Sequence, residues 1–306
     1  MSFASECKAE LMTIKRNILE NKALILGMLV SGAKISENEF TFTSTKDTIA
    51  NYLIFLLNRV YKYSASLEEC DVQSQTFLHK YAVNCTGCLN IMDDLEVHHL
   101  GEFKKEIKES RNLSAAYLCG AFLARGSVND PETTKYHFEI TLDDTKNAMF
   151  VQQIMNIYEL NAKIIRRRNK LVVYIKDAEK IVDVLRLIGA NKNCFHYEDV
   201  RIERDFNNSI NRIINCEVAN EQKTLSAANE QLKYIKYLEY NYPLEKLDPK
   251  ILTVMKVRQD NPEASLVELI EILERDYGQH ISKPGLSHRF AKIKDLALEH
   301  KRNKES

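Results

Sequence analysis

The chain has 306 residues, 44% of them hydrophobic and 28% charged, which is enough for two folded domains with apolar cores. Its 43 basic and 43 acidic side chains cancel, so no global field attracts nucleic acid or an anionic membrane, and such binding requires a local basic patch. The first ten residues lack the apolar segment of a signal peptide, and the longest apolar run, 23–33, is shorter than the about 20 residues that span a bilayer. We therefore expect a cytoplasmic protein without a membrane segment.

The seven cysteines do not form the framework of a disulfide-rich protein in a chain of this length. Cys85 and Cys88 form a CxxC pair, but His98 and His99 are poorly spaced to complete a zinc site. Buried, reduced thiols are the better interpretation, and we expect no metal and no other cofactor.

The first part of the chain predicts alternating helices and strands. Helical spacing covers 5–20, and a second, apolar helix ends on Gly32, preceded by Ser31. The patterns that follow predict a strand at 40–43, a helix at 46–61, and strands at 63–72 and 76–83.

The same order recurs after an apolar helix that ends on Gly126, preceded by Arg125. Gly120 and Gly126 would let a second helix pack close to this one, and Gly126 is a natural helix cap. Further elements are predicted at 136–142, 144–158, 162–167, 171–175 and 177–188. The repeat, offset by 94 residues from Gly32 to Gly126, predicts a pseudo-two-fold domain with half-repeats 22–83 and 112–190.

Residues 84–110 are mostly polar and predict a helical connector between the half-repeats. Beyond 190 the chain turns helical again, and one stretch combines an apolar face with an asparagine stripe. The apolar residues are Phe206, Ile210, Ile213 and Ile214, and the asparagines, which lie beside Arg212, are Asn207, Asn211 and Asn215. Because asparagine is a mediocre helix former, the stripe indicates contact with a neighbouring helix or with phosphates, and the pattern leaves both open.

The last 60 residues predict three short helices. The first covers 247–255 and is broken by Asn261 and Pro262, and Ser265 with Glu268 forms a capping box for the second. A turn at 276–278 precedes Ser282, which would cap the third. Two helices joined by a turn within 264–297 are typical of a helix-turn-helix motif.

The third helix has one face for the core and another for DNA. Leu286, Phe290, Ile293 and Ala297 share the face that we expect to be buried. Residues 281–304 hold seven basic side chains against two acidic ones, although the whole chain is balanced. The predicted DNA-binding residues are Ser282, Lys283, Pro284, Gly285, Ser287, His288, Arg289 and Lys292. The alternative is a solvated basic face on a protein-binding helical bundle.

A second basic cluster lies at the tip of the hairpin predicted by 162–175. Six basic residues and no acidic one occur between 163 and 176. The candidate DNA contacts are Arg166, Arg167, Arg168 and Lys170. Solubilising charge on an exposed strand edge explains the cluster equally well.

The apolar helix that ends on Gly126, within residues 117–128, resembles the LAGLIDADG helix of homing endonucleases. In those enzymes two such helices pack side by side. The resemblance implies that each helix carries one metal-binding carboxylate just before its last glycine. Here those positions are Ser31 and Arg125, which we interpret as a degenerate metal site without nuclease activity.

Five stretches resemble the WhiA family of bacterial cell-division and sporulation regulators. They are 2–5, 118–131, 211–220, 261–266 and 281–289, spread over nearly the whole chain, although the first half-repeat is diverged. The resemblance implies a degenerate LAGLIDADG domain tethered to a C-terminal helix-turn-helix, promoter binding, and a role in cell division or chromosome segregation.

Together these features predict an α+β protein: a pseudo-two-fold LAGLIDADG homing-endonuclease-like domain at 1–215, a helical linker at 216–243, and a small all-α helix-turn-helix domain at 244–306. The predicted function is transcription regulation by a sequence-specific, nucleoid-associated protein that is not an enzyme. Its expected partners are double-stranded promoter DNA and other transcription or division proteins. An active LAGLIDADG nuclease or RNA maturase, and an interaction protein that does not bind DNA, are the alternatives.

Overall fold

The computed structural model describes residues 2–70, 80–99, 101–133 and 135–305. Its contacts divide the chain into two units, Met1–Asp205 and Phe206–Ser306, and each unit has a hydrophobic core of its own. Across the described ranges, no helix combines the length and the apolarity that crossing a bilayer requires.

The first half of the larger unit begins with two helices and continues into a sheet. The elements are α1 Phe3–Met12, α2 Ile18–Gly32, β1 Ala33–Ile35, β2 Glu39–Ser44, α3 Asp47–Tyr61, β3 Ser66–Cys70 and β4 Lys80–Thr86. The strands form an antiparallel sheet in the order β1-β2-β4-β3. The connector to the second half contains α4 Leu89–Asp94 and α5 Glu102–Glu109.

The second half repeats this arrangement. Its elements are α6 Arg111–Arg125, β5 Gly126–Val128, β6 Phe138–Leu142, α7 Thr145–Ile157, β7 Lys163–Arg167, β8 Lys170–Ile175 and α8 Ala178–Ile188. The sheet order β5-β6-β8-β7 matches that of the first half element by element. The predicted pseudo-two-fold architecture is therefore confirmed.

The two halves meet where α2 packs against α6 in the core, and Gly27 and Gly120 permit the contact. A side chain on Gly27 would overlap the carbonyl oxygen of Tyr117, and one on Gly120 would overlap that of Leu24. Gly27 and Gly120 are 93 residues apart, as are Leu24 and Tyr117. The offset of 94 predicted from Gly32 and Gly126 is thus one residue too long.

Only one of the two roles predicted for Gly126 is confirmed. It is the C-cap of α6, and its N–H donates to the carbonyl of Phe122, although its φ of −83° and ψ of 152° are extended and it is also the first residue of β5. A side chain there would strike Phe122 of its own helix, so Gly126 does not mediate the helix-helix contact.

The helix predicted over 5–20 is interrupted. α1 ends at Met12, and Asn17 begins α2 with a capping box in which the Asn17 side chain accepts from the backbone N–H of Glu20 and Glu20 accepts from that of Asn17. The remaining predicted elements of this unit are found with shifted ends, and the three-residue strands β1 and β5 are additional. The predicted strands 63–72 and 76–83 extend into 71–79, which lies outside the described residues.

A long helix, α9 Asn191–Asn241, precedes the C-terminal elements. These are a 3-10 turn at Leu244–Lys246, α10 Pro249–Asp260, α11 Leu266–Tyr277 and α12 Lys283–Glu305. Their core includes Ile251, Val254, Leu269 and Leu273, with Ile235 from α9. The three predicted helices and the capping box between Ser265 and Glu268 are confirmed.

The apolar face predicted on α9 is not covered within the described structure. Phe206 is 64% exposed and Ile213 is 59% exposed, with Ile210 and Ile214 also at the surface. Asn207, Asn211 and Asn215 are exposed as well, so no helix among the described residues covers the asparagine stripe.

Candidate DNA-binding interface

The turn between α11 and α12 is built from local signals. Gly278 ends α11 in the left-handed conformation, with φ of 60°, and its N–H caps the last turn. The next amide, of Gln279, donates to the carbonyl of Leu273 over 3.0 Å. Ser282 precedes α12, and its hydroxyl oxygen accepts from the N–H of Gly285 over 3.3 Å. These contacts set the angle at which α12 leaves the turn.

One face of α12 closes the core, and the opposite face is free. Leu286, Phe290, Ile293 and Ala297 are at most 5% exposed, as predicted. On the other side Lys283, Pro284, Ser287, His288 and Lys292 are exposed, and Gly285 and Arg289 are half-buried. The candidate residues thus form one polar surface on the N-terminal half of the helix, where recognition helices contact base edges.

The cations of α12 differ in their availability to a ligand. Lys294 is paired with Glu230 over 2.8 Å, and this carboxylate raises the pKa of Lys294. Arg289 donates to the side-chain oxygen of Gln279 over 2.9 Å, so its guanidinium is held at the turn. Lys283 and Lys292 are exposed and have no ion pair with any described residue. They are therefore the cations of this face that are most available to a phosphate.

Lys283 lies beside a basic residue that sequence reasoning missed. Together with Lys223 of α9 and Ser265 it lines a shallow cavity of about 240 Å³ within the C-terminal unit. Arg258, also in the wall, is buried and donates to Gln231 and to the carbonyl of Ala264. No local pattern marks Lys223, because it is brought to this place by the packing of α9.

The basic hairpin also forms as predicted. β7 is an edge strand, Arg167 pairs with Lys170 across a two-residue turn, and Arg168 has a left-handed φ of 56°. Arg166, Arg167 and Arg168 are exposed. Lys170, however, forms an ion pair with Asp143, which precedes α7. The hairpin is therefore less basic than its own sequence indicates.

The structure changes one of the two positions of the predicted degenerate metal site. Because the helices are related by an offset of 93, the residue equivalent to Arg125 is Gly32, not Ser31. Ser31 is 5% exposed, and its hydroxyl has no partner among the described residues. Neither Gly32 nor Arg125 supplies a carboxylate.

The surroundings of Arg125 are cationic. Its guanidinium donates to Thr43 over 2.9 Å. Burial, together with the charges of Lys46 and Arg125, lowers the pKa of Lys8 to about 8. The lysines were not predicted, because α1 and the start of α3 reach this point only through the fold. Residues of this kind do not fit a divalent cation.

The described ranges also contain no group of three or more His, Cys, Asp or Glu that could hold a metal. Cys85 and Cys88 are buried, and the Cys88 thiol donates to the carbonyls of Asn38 and Cys85. Burial is the main cause that raises the pKa of Cys85 to about 12, so this thiol stays protonated.

Known families match both units. Residues 114–207 match the WhiA LAGLIDADG-like domain and residues 210–297 the WhiA C-terminal HTH domain. Two relatives, from Staphylococcus aureus strains JH9 and Newman, are called probable cell division protein WhiA. Each is 38% identical over 309 residues, covering 97% of this chain and 96% of the relative.

Solved structures agree on the fold. Full-length DUF199/WhiA from Thermotoga maritima has a TM-score of 0.61 at 21% identity, with 98% of this chain and 99% of that chain covered. The N-terminal LAGLIDADG domain of DUF199/WhiA has a TM-score of 0.52 at 22% identity, with 61% and 90% covered. The predicted fold, a LAGLIDADG-like domain followed by a helix-turn-helix domain, is confirmed.

Proposed function

The chain belongs to the WhiA family, and from this premise we propose that it is a sequence-specific DNA-binding regulator of transcription without nuclease activity. Its relatives in S. aureus are called probable cell division proteins. We extend that role to this chain and include chromosome segregation. Promoter DNA is then its main partner, and the protein associates with the nucleoid in the cytoplasm.

The observation that carries this proposal is the division of α12 into two faces. Four apolar side chains anchor the helix, and the exposed side presents Ser287, His288 and Lys292 next to the small Gly285. A helix with small residues and hydrogen-bond donors near its N-terminus can enter the major groove and read base edges, while lysines neutralise phosphates. A solvated face on a protein-binding bundle does not require this grouping.

The absence of nuclease activity rests on Gly32 and Arg125. Metal-dependent cleavage needs carboxylates that hold the ions at the scissile phosphate. Here α2 ends on Gly32, which has no side chain, and α6 ends on Arg125, which has a guanidinium. The charges of Lys46 and Arg125 also help to lower the pKa of Lys8, so the surroundings are positively charged. We propose that this end of the helix pair is catalytically inert.

The DNA-binding proposal is tested with the full-length protein. Chromatin immunoprecipitation followed by sequencing identifies target fragments, and fluorescence anisotropy then measures their affinity against a shuffled sequence. We expect Lys292→Ala to weaken binding to both and to reduce the slope of log K against log salt by about 1, as for one lost phosphate contact. Lys256→Ala, at an exposed position of α10, is the matched control.

Arg289→Ala tests base recognition. If Arg289 contacts a base, its loss costs about 1–3 kcal/mol on the target and less on the shuffled sequence. Because Arg289 also bonds to Gln279, the melting temperature of the variant is measured in parallel. If the DNA affinity of Lys292→Ala and of Arg289→Ala equals that of the wild type, or if chromatin immunoprecipitation enriches no DNA, the protein is better explained as an interaction protein. Cleavage of supercoiled plasmid with Mg²⁺ by the wild type would contradict the inert site.

A further inference from the structure

The larger unit contains a cavity of about 510 Å³ that no part of the DNA-binding proposal uses. It lies between the connection from α4 to α5, α5 itself and the first turns of α7. Ligand pockets have volumes of roughly 300–1,000 Å³, so a drug-sized or nucleotide-sized molecule fits.

The charged side chains that line the cavity are mostly basic. Lys104, Lys108 and Lys146 contribute ammonium groups, and Asp144 is the one carboxylate in the lining of described residues. His98 and His99 add ring nitrogens that can donate or accept hydrogen bonds. The lining therefore suits an anion.

Lys104 is the unusual member of this group. Lys104 is only 6% exposed, and its ammonium donates to the backbone carbonyl of His99 over 2.8 Å. It forms no ion pair with the described residues. Burial lowers its pKa, and the charges of Glu96 and Asp144 offset this effect only in part. An ammonium has three donors, so further hydrogen bonds are available at a site that is shielded from water. A bound anion would compensate for the burial of this charge.

The remaining wall is apolar. Val97, Met149 and Phe150 line the cavity, and Met149 is 50% exposed although it is hydrophobic. Lys108 is held over the ring of Phe150, 5.1 Å from its centroid, by a 2.7 Å hydrogen bond to Gln153. An anion that also carries an apolar, flat group would contact both parts of the cavity, whereas inorganic phosphate would use only one.

We propose that this cavity binds a small organic phosphate of nucleotide size, with its phosphate on Lys104 and Lys146 and its base or other apolar group against the exposed Met149. Such a ligand would make the larger unit a sensor domain. The proposal does not depend on DNA binding and concerns residues of the larger unit alone.

The test is isothermal titration calorimetry of the full-length protein with a panel of ribonucleoside mono-, di- and triphosphates, and with adenosine and inorganic phosphate as comparisons. We expect at least one nucleotide to bind more tightly than both comparisons. If no member binds at millimolar concentration, or if adenosine binds as well as its phosphates, the proposal is wrong.

Three lysine variants assign the site. Lys104→Met and Lys146→Met should each weaken binding about tenfold or more, because each variant loses a charge-assisted hydrogen bond to the phosphate. Lys105→Met is the control, since Lys105 lies on the same helix, is exposed and pairs with Glu102. Lys146 is exposed, so its variant tests the site even if Lys104→Met lowers the melting temperature. Binding that is unchanged in Lys146→Met would overturn the assignment.

Discussion

Arg125 changes the chemistry available at the end of α6. The resemblance to homing endonucleases predicts a carboxylate there, whereas this chain presents a guanidinium that donates to Thr43. Lys46 and Arg125 are both close enough to lower the pKa of Lys8. Positive charges in this place repel a cation and attract a phosphate, so at the scale of single residues this end of α6 is electropositive.

Lys8 yields a prediction about pH. Burial, Lys46 and Arg125 lower its pKa from 10.5 to about 8. Between these values the unfolded chain binds a proton that the folded protein has released, so the free energy of unfolding rises with pH across this window. Below pH 8 both states are protonated, and the cost of burying the charge is fully present.

We therefore expect the melting temperature of Lys8→Met to rise less between pH 8 and pH 10.5 than that of the wild type. Lys34→Met, at an exposed position of β1, should follow the wild-type curve. The measurement is a series of thermal melts in buffers of constant ionic strength. Parallel curves for Lys8→Met and the wild type would mean that Lys8 has an ordinary pKa.

At the scale of elements, the packing of α2 against α6 holds the pseudo-symmetric unit together. Each helix offers one glycine, Gly27 or Gly120, to the backbone of the other. The backbones can approach this closely only without a β-carbon at the crossing point. The adjacent strands β1 and β5 follow directly, so the crossing also sets how the two sheets are placed.

Gly120→Ala should therefore destabilise the protein. Its methyl group meets the carbonyl oxygen of Leu24, which is backbone and cannot swing away. Overpacking costs about 1–3 kcal/mol, which exceeds the gain of about 1 kcal/mol from replacing glycine in a helix. Urea unfolding followed by circular dichroism measures the change.

Gly101→Ala is the matched control for this experiment. Its methyl group would meet the side chain of Glu96, which can move but accepts a hydrogen bond from the backbone N–H of Lys104, so we expect a smaller loss than for Gly120→Ala. Equal stability of the Gly120→Ala variant and the wild type would mean that the helices can separate without loss.

Elements with strong local signals could be predicted from the sequence. The capping box of Ser265 and Glu268, the left-handed Gly278 and the apolar face of α12 are each encoded within a few residues. The same holds for the hairpin of β7 and β8. The capping box of Asn17 and Glu20 was also present in the sequence, but the apolar spacing through Ile14 and Ile18 obscured the break.

Features that depend on distant contacts could not be predicted. The predicted offset of 94 rests on Gly32 and Gly126, which lie at the ends of their helices, whereas the equivalence in the structure is defined by the crossing of Gly27 and Gly120. The pairing of Lys170 with Asp143 links residues from different elements, and the approach of Lys8 to Arg125 links residues from different halves. No periodic pattern contains such information.

At the scale of the whole molecule, the chain contains two separate hydrophobic cores. α9 contributes to both, with Tyr197 in the first and Ile235 and Leu238 in the second. Between these positions its residues 202–218 include six exposed apolar side chains: Ile202, Phe206, Ile210, Ile213, Ile214 and Val218. Because the middle of α9 has no buried face, it makes few packing contacts that could couple the unfolding of one core to that of the other. We therefore expect the two units to unfold in separate steps.

A matched pair of core substitutions tests this expectation. Leu185 of α8 and Leu273 of α11 are both completely buried, the first in the larger unit and the second in the smaller. Replacing either with alanine costs about 2–5 kcal/mol.

The same loss of stability shifts the melting temperature more in the smaller unit. The shift is about 4–8 °C per kcal/mol in a unit of 60–100 residues and about 2–4 °C per kcal/mol in one of 150–250 residues. In differential scanning calorimetry, Leu273→Ala should shift one transition strongly and Leu185→Ala should shift the other by less. A single transition that both variants lower together would instead mean that the units unfold as one.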